Sequence, residues 1–193
     1  MHMRKIVYII PGYEVYKPAS ELENIFKKEG FEPIFVPIRW DRKRPAQFKE
    51  FVQDFLKVYR TKPKGVCIYV FGFSLGALVA FLAAGKIRPD GLILASLSSW
   101  FAEDLETLDQ SWSEWWQKNF SDKPFSFQKL VPRIKSKTVV LVGSTEDKDM
   151  INRARETAKR IPHTKLITVK GVGHKILHKD YLNAVKKAIL YLV

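Results

Sequence analysis

The chain has 193 residues, of which 46% are apolar and 27% are charged, and its formal net charge is +13. This length suits one domain that buries a full core without disulfide staples, and the composition excludes a disordered chain. The single cysteine, Cys67, excludes a disulfide framework within the chain. Its apolar surroundings predict a buried thiol, and the lack of a partner favours a reducing compartment.

Hydropathy and charge limit the partners that we expect. The longest apolar run near the N-terminus, 6–10, is too short for a signal-peptide core or a membrane span, so we expect a cytoplasmic protein. The positive field would attract anions, and its densest cluster is 39–44, RWDRKR. Because no helix-turn-helix, zinc-finger spacing or RNA-binding motif accompanies this cluster, we interpret it as a solvated loop and expect no nucleic-acid partner.

Short strand patterns alternate with helical patterns along the chain. The first strand pattern ends at the turn signal Pro11-Gly12, and a capping box at Ser20 and Glu23 opens a helix that Gly30 ends. Later helices are marked by apolar residues at spacings of three and four. In chain order, we predict a strand at 5–10, a helix at 20–30, a strand at 33–38, a helix at 48–59, a strand at 66–71, a helix at 75–85, a strand at 92–96, an insertion at 97–130, a strand at 139–142, a helix at 151–161, a strand at 165–169 and a helix at 181–192.

This alternation predicts the fold class. Six strands separated mostly by helices favour one α/β domain, with a mostly parallel sheet and helices on both faces, because parallel strands need long crossovers. The nearly continuous apolar run at 66–71 is typical of a strand that is covered on both faces. Ligands bind at the carboxyl ends of such strands, so we expect chemistry directly after them.

A G-x-S-x-G motif lies where the third predicted strand meets a helix. Its residues are Gly72, Phe73, Ser74, Leu75 and Gly76. A sharp strand-to-helix turn lifts the central residue into a strained conformation, so the residues two before and two after it must be small. Ser74 would then protrude at the carboxyl edge of the sheet, beside backbone N–H groups that favour negative charge.

At this point the sequence resembles the α/β-hydrolase family over nearly its whole length. In that family, nucleophile, acid and histidine follow in chain order, each on a loop after a strand. The resemblance implies that Ser74 is the nucleophile, that Asp147 in LVGSTEDKDM is the acid and that His174 in VKGVGHKI is the base. Glu146 and Asp149 stay open as the acid, because a shift of one residue changes which side chain points inward.

The resemblance also implies an oxyanion site and the absence of any cofactor or metal. We expect the donors of the oxyanion site to be two backbone N–H groups. One is that of Leu75, and the other is that of Tyr13, which lies in the loop after the first strand. Many relatives have His-Gly in that loop, where this chain has Pro11-Gly12-Tyr13.

The insertion at 97–130 is aromatic and locally acidic. Its apolar residues Phe101, Leu105, Leu108, Trp112 and Trp115 form one helical stripe, which predicts a helix packed on the body of the protein. The alternative is a small cap over the site, in a place where family members often carry one. In that case we expect an apolar substrate pocket. Its predicted lining residues are Trp100, Trp116, Phe120 and Phe73.

These features predict a serine hydrolase that cleaves small carboxylic esters of short or medium acyl chain through an acyl-serine intermediate. Thioester or amide hydrolysis on the same triad is an alternative, because an acyl-serine intermediate does not specify the leaving group. A ligand-binding or partner-binding module with a vestigial site is another.

Overall fold

The computed structural model describes residues 3–13, 20–42, 45–59 and 65–193. Within these residues, six strands form one sheet, and seven α-helices flank it. The strands are β1 (Arg4–Ile10), β2 (Phe31–Phe35), β3 (Val66–Phe73), β4 (Gly91–Ala95), β5 (Lys137–Gly143) and β6 (Thr164–Val169). The helices are α1 (Ser20–Lys28), α2 (Phe48–Val58), α3 (Leu75–Ile87), α4 (Gln110–Asn119), α5 (Phe127–Leu130), α6 (Lys148–Arg160) and α7 (Lys179–Leu192).

The strands are all parallel, in the order β2-β1-β3-β4-β5-β6. Their carboxyl ends therefore meet at one edge of the sheet. The chain runs outward in one direction from β1 and in the other from β3, so the loops after these two strands face each other at the switch point where such sheets bind ligands. The predicted parallel α/β sheet with helices on both faces is confirmed.

Several element boundaries differ from the prediction by one to three residues, and two of them have a clear physical reason. The second strand runs over Phe31–Phe35 rather than 33–38, because its pairing with β1 ends where Ile9 meets Phe35. Helix α3 continues past Gly85 to Ile87, and Arg88 ends it in the left-handed conformation with φ 48°.

Two cores cover the faces of the sheet. Alternate side chains of β3 point to opposite faces, Val70 to one core and Phe71 to the other. Helices α2 and α3 cover the Val70 face together with the insertion, and α1 and α7 cover the Phe71 face. Helix α6 packs on β5 through Ala154. This two-sided burial explains the uniformly apolar pattern of the central strands.

The insertion does not form the continuous helical stripe that we predicted. Phe101 forms an isolated bridge with Phe125, a short 3₁₀ turn covers Ala102–Asp104, and Leu105 is 45% exposed. The side chain of Asp109 accepts hydrogen bonds from the backbone N–H groups of Ser111 and Trp112. This N-cap starts helix α4 at Gln110, so only the second half of the stripe is helical.

Acidic side chains of the insertion have partners within the protein. Asp104 forms a bidentate ion pair with the buried Arg153 of α6, whose Nε donates to Asp104 Oδ2 at 2.8 Å. The guanidinium also lies over the rings of Phe101 and Phe127, 4.7 and 4.0 Å from their centroids. Glu103 accepts from the first N–H groups of α5. The local acidity therefore ties the insertion to the body and caps its helices.

The basic loop is partly described. Arg42 pairs with Glu50 and Asp54 on α2 and lies over the ring of Phe51, whereas Arg39 is exposed. The other two basic residues of the cluster, at 43 and 44, lie outside the described residues. Among the helices of the described ranges, none has both the length and the hydropathy of a membrane span.

Candidate active site

Ser74 lies at the sharp turn between β3 and α3. Its backbone has φ 57° and ψ −124°, a conformation that L-residues rarely adopt. A Cβ at Gly72 would collide with the backbone of Gly76, and a Cβ at Gly76 would collide with the carbonyl oxygens of Ile10 and Pro11. Both glycines are thus required by close backbone approach, as the motif predicted, and the turn brings Ser74 against the loop that follows β1.

The loop after β1 contacts the turn at Ser74 directly. A Cβ built on Gly12 would lie 3.2 Å from the Cβ of Ser74. Tyr13 follows, and Leu75 is the first residue of α3, whose N–H has no carbonyl partner within the helix. The predicted oxyanion donors therefore directly follow two residues that lie against each other, Leu75 after Ser74 and Tyr13 after Gly12.

His174 is hydrogen-bonded to Ser74. Its Nε2 lies 2.9 Å from Ser74 Oγ, across a sequence separation of 100 residues. The imidazole lies on the loop after β6, with 42% of its side chain exposed, and its ring packs on Phe73 with centroids 4.7 Å apart. The structure thus brings together the predicted serine and histidine, and it places Phe73 under the imidazole.

Glu146 supplies the carboxylate at the other imidazole nitrogen. Its Oε2 lies 3.3 Å from Nδ1 of His174, and its side chain is fully buried. Asp147, the predicted acid, is instead exposed at the N-cap of α6, and the carboxylate of Asp149 accepts from Ser99. The loop turns inward one residue earlier than we predicted, because Glu146 N–H bonds back to the carbonyl of Gly143.

Two further residues that the sequence analysis did not single out contact this carboxylate network. Ser96 Oγ donates to Glu146 Oε1 at 2.7 Å and lies 2.6 Å from the hydroxyl of Tyr181. Burial, together with the negative charge of Glu146, raises the pKa of the Tyr181 phenol, so it stays protonated. Ser96 directly follows β4, at the same edge as Ser74, and this position was the one signal available in the sequence.

All four predicted pocket residues are buried, and Phe73, at 8% exposure, belongs to the core on the α7 side. Trp100, Trp116 and Phe120 are 2%, 0% and 2% exposed. Trp116 stacks on Trp100 and on Phe48, with centroids 4.6 and 5.4 Å apart. Helix α4 is therefore anchored in the core through Trp116, and the part of these residues in a substrate pocket stays a prediction.

A different set of aromatic residues, which are half-buried, lies beside the site. Tyr13 packs edge-on against Trp115, with centroids 5.0 Å apart, and Trp115 stacks on Trp112 at 4.8 Å. All three rings are partly exposed. They form an apolar face that begins at the loop next to Ser74.

Comparisons with known proteins show likeness in structure. No protein-family model matches the sequence, and no curated protein matches it significantly. Among solved structures, Est1E from Butyrivibrio proteoclasticus matches 98% of this chain and 86% of its own, with TM-score 0.74 and 17% identity. MGS-MChE2, an alpha/beta hydrolase enzyme from a lagoon-sediment metagenome, matches 95% of this chain and 90% of its own, with TM-score 0.70 and 14% identity. The chain has the α/β-hydrolase fold.

A third match agrees with this assignment. The esterase EaEST from Exiguobacterium antarcticum matches 100% of this chain and 93% of its own, with TM-score 0.73 and 14% identity. The predicted resemblance to α/β hydrolases is thus confirmed at the level of the fold. In this α/β-hydrolase fold, Glu146, His174 and Ser74 form one hydrogen-bonded line along the carboxyl edge of the sheet. Such a line suits transfer of the hydroxyl proton to an imidazole that a carboxylate holds in place.

Proposed function

We propose that the protein is a serine hydrolase that cleaves carboxylic esters, with Ser74 as nucleophile, His174 as base and Glu146 as acid. The observation that carries this proposal is the line of hydrogen bonds from Glu146 through His174 to Ser74, at a strained strand-to-helix turn. Backbone strain and an oriented imidazole at one exposed edge are expected of a nucleophile and serve no evident purpose in packing.

The proposed reaction has two halves. Ser74 Oγ attacks the ester carbonyl carbon while its proton passes to Nε2 of His174, and the oxyanion is stabilised by the N–H groups of Leu75 and Tyr13. The C–O bond to the alcohol then breaks, and Nε2 returns the proton to the leaving oxygen. Water attacks the acyl-serine in the same way, which releases the carboxylic acid and restores Ser74. Glu146 offsets the imidazolium charge in both halves.

The proposed substrate is a small ester. EaEST is named an esterase, and Est1E has also been solved with ferulic acid bound. In this chain, we propose that the apolar face of Tyr13, Trp115 and Trp112, which begins one residue after Gly12, receives the acyl or alcohol group. Apolar walls with few polar groups are typical of sites for small ligands. No step of this mechanism needs a cofactor or a metal.

The first test uses p-nitrophenyl acetate and butyrate with wild type and Ser74→Ala. We expect Ser74→Ala to lower kcat by roughly 10⁴- to 10⁶-fold, because the acyl-enzyme route is lost. Ser136→Ala, which removes a buried hydroxyl away from the site, serves as the matched control. Equal rates for wild type and Ser74→Ala would refute the proposal.

A fluorophosphonate probe separates an enzyme from a binding module with a vestigial site. We expect the probe to label Ser74 in wild type and to leave Ser74→Ala unlabelled, because only an activated hydroxyl reacts. A wild type that stays unlabelled would favour the binding module. A panel of esters, thioesters and anilides then identifies the leaving group.

A further inference from the structure

The Oε1 atom of Glu146 has its own set of donors. It accepts from Ser96 Oγ at 2.7 Å and from the backbone N–H of Gly143 at 2.6 Å, while Oε2 faces His174. The two oxygens therefore have different environments. The donors on Oε1 fix the carboxylate plane, and only Oε2 is presented to the imidazole.

The hydroxyl of Ser96 has one proton, and its direction follows from its neighbours. Glu146 is an acceptor when ionised, so Ser96 donates to it. The oxygen of Ser96 is then left to accept, and the hydroxyl of Tyr181 lies 2.6 Å from it. Because the phenol stays protonated, the order of donation is Tyr181 to Ser96 to Glu146.

The backbone of Ser96 has an unusual conformation at its contact with Glu146. Its φ is 49°, a left-handed conformation that a serine adopts at a cost. Its N–H continues the sheet by donating to the carbonyl of Leu141, so the residue is held from both sides. Ser96, directly after β4, and Tyr181, on α7, are both completely buried, where no solvent replaces a lost hydroxyl.

We propose that Ser96 and Tyr181 are positioning residues that hold Glu146 so that its Oε2 faces Nδ1 of His174. The proposal rests on the function proposed above. It assigns to the closing helix α7 a part in the active site, because Tyr181 lies in its first turn. Neither residue touches the substrate, and both act through Glu146.

The test begins with Ser96→Ala and Tyr181→Phe, the second of which keeps the ring. With p-nitrophenyl acetate we expect kcat to fall roughly 10- to 100-fold for Ser96→Ala and about 3- to 10-fold for Tyr181→Phe, with KM unchanged, because hydrogen bonds to a charged group are the stronger ones. The controls Ser136→Ala and Tyr69→Phe each remove the hydroxyl of a buried residue elsewhere. We expect them to keep kcat within about twofold.

A double-mutant cycle separates positioning from general stability. In a Glu146→Gln background, Ser96→Ala and Tyr181→Phe have no carboxylate to orient, so we expect no further loss of kcat. Losses of the same size in both backgrounds, or unchanged kcat in the single variants of an active enzyme, overturn the proposal. If Ser96→Ala does not fold, as judged by circular dichroism, the Tyr181→Phe cycle decides.

A spectroscopic readout keeps this proposal distinct from the proposed function. The ¹H and ¹⁵N resonances of the His174 Nδ1–H group report its hydrogen bond to Glu146 whether or not an ester is cleaved. We expect these resonances to shift in both variants and to stay in place in the controls. A wild type that neither hydrolyses esters nor binds the fluorophosphonate refutes the hydrolase. Unshifted resonances in Ser96→Ala and Tyr181→Phe refute the positioning role.

Discussion

Glu146 and Asp147 are neighbours in the chain, yet they have opposite surroundings. Glu146 is buried against His174, Ser96 and the backbone of Gly143, whereas Asp147 is exposed at the start of α6. A carboxylate can orient an imidazole only from within hydrogen-bond reach. The two positions therefore make sharply different predictions for variants that remove one charge and keep the shape.

We expect Glu146→Gln to lower kcat for p-nitrophenyl acetate by roughly 10²- to 10⁴-fold, because an amide does not stabilise the imidazolium. Asp147→Asn is the matched control, and we expect it to stay within about threefold of wild type. The measurement is steady-state kinetics at a pH where wild type is fully active. A larger loss of kcat for Asp147→Asn than for Glu146→Gln would show that Asp147, and not Glu146, is the acid.

The contact between Ser74 and His174 could be predicted from the sequence, whereas the carboxylate that contacts His174 could not be chosen. Gly72 and Gly76 leave a signature because backbone collisions exclude any side chain there. The loop after β5 has no comparable signature. Glu146 points inward there because of a turn in which its own N–H donates to the carbonyl of Gly143 at 3.4 Å. A sequence motif shows where side chains are sterically excluded, but it does not show which side chain of a loop points inward.

At the scale of elements, the insertion is tied to helix α6 by one buried ion pair. Asp104 and Arg153 contact each other with side-chain exposures of 11% and 3%, and Arg153 Nη1 has no hydrogen-bond partner among the described residues. Burial raises the pKa of the Asp104 carboxyl, while the contact with Arg153 opposes this shift. Removing one member of such a pair leaves a buried charge without compensation.

We therefore expect Asp104→Ala to lower the free energy of unfolding by about 3–5 kcal/mol. The double variant Asp104→Ala/Arg153→Met removes both charges, and we expect it to recover much of that loss. Glu156→Ala, which breaks an exposed pair with Lys159 on the same helix, is the control and should change stability by less than about 1 kcal/mol. Urea unfolding measures all three. Equal stability of Asp104→Ala and wild type would show that the pair is not a tether.

The insertion also shows why a helical stripe in the sequence is ambiguous. Apolar spacing predicted one helix from Phe101 onward, but the cap at Asp109 starts α4 later and the preceding residues turn away. The spacing of apolar residues shows only which residues are apolar. A buried loop can have apolar residues three and four positions apart by coincidence, just as a helix has them by geometry. Trp116 is buried because it stacks on Trp100 and on Phe48, and spacing gives no signal of this contact because Phe48 lies far away in sequence.

At the scale of the whole molecule, one sheet separates two cores, and each core has its own natural probe: tryptophan fluorescence for one and the reactivity of a thiol for the other. All five tryptophans belong to the core on the α3 side or pack against it. The single thiol, Cys67, is half-buried and packs against the core on the α7 side. The alternation of strands and helices predicted both layers, but the order of the strands depends on contacts between distant residues that no local pattern encodes.

Because both cores share the same strands, neither should unfold alone. The two faces of β3 alternate residue by residue, so losing the α7 side would leave Phe71 and its neighbours exposed on a sheet that the other side still holds. We expect tryptophan fluorescence and the reaction rate of Cys67 with a disulfide reagent to change at the same urea concentration, with the native rate as baseline. A rise in thiol reactivity well before the fluorescence transition would mean that α1 and α7 open as a separate unit, and the Tyr181 side of the candidate active site would open with them.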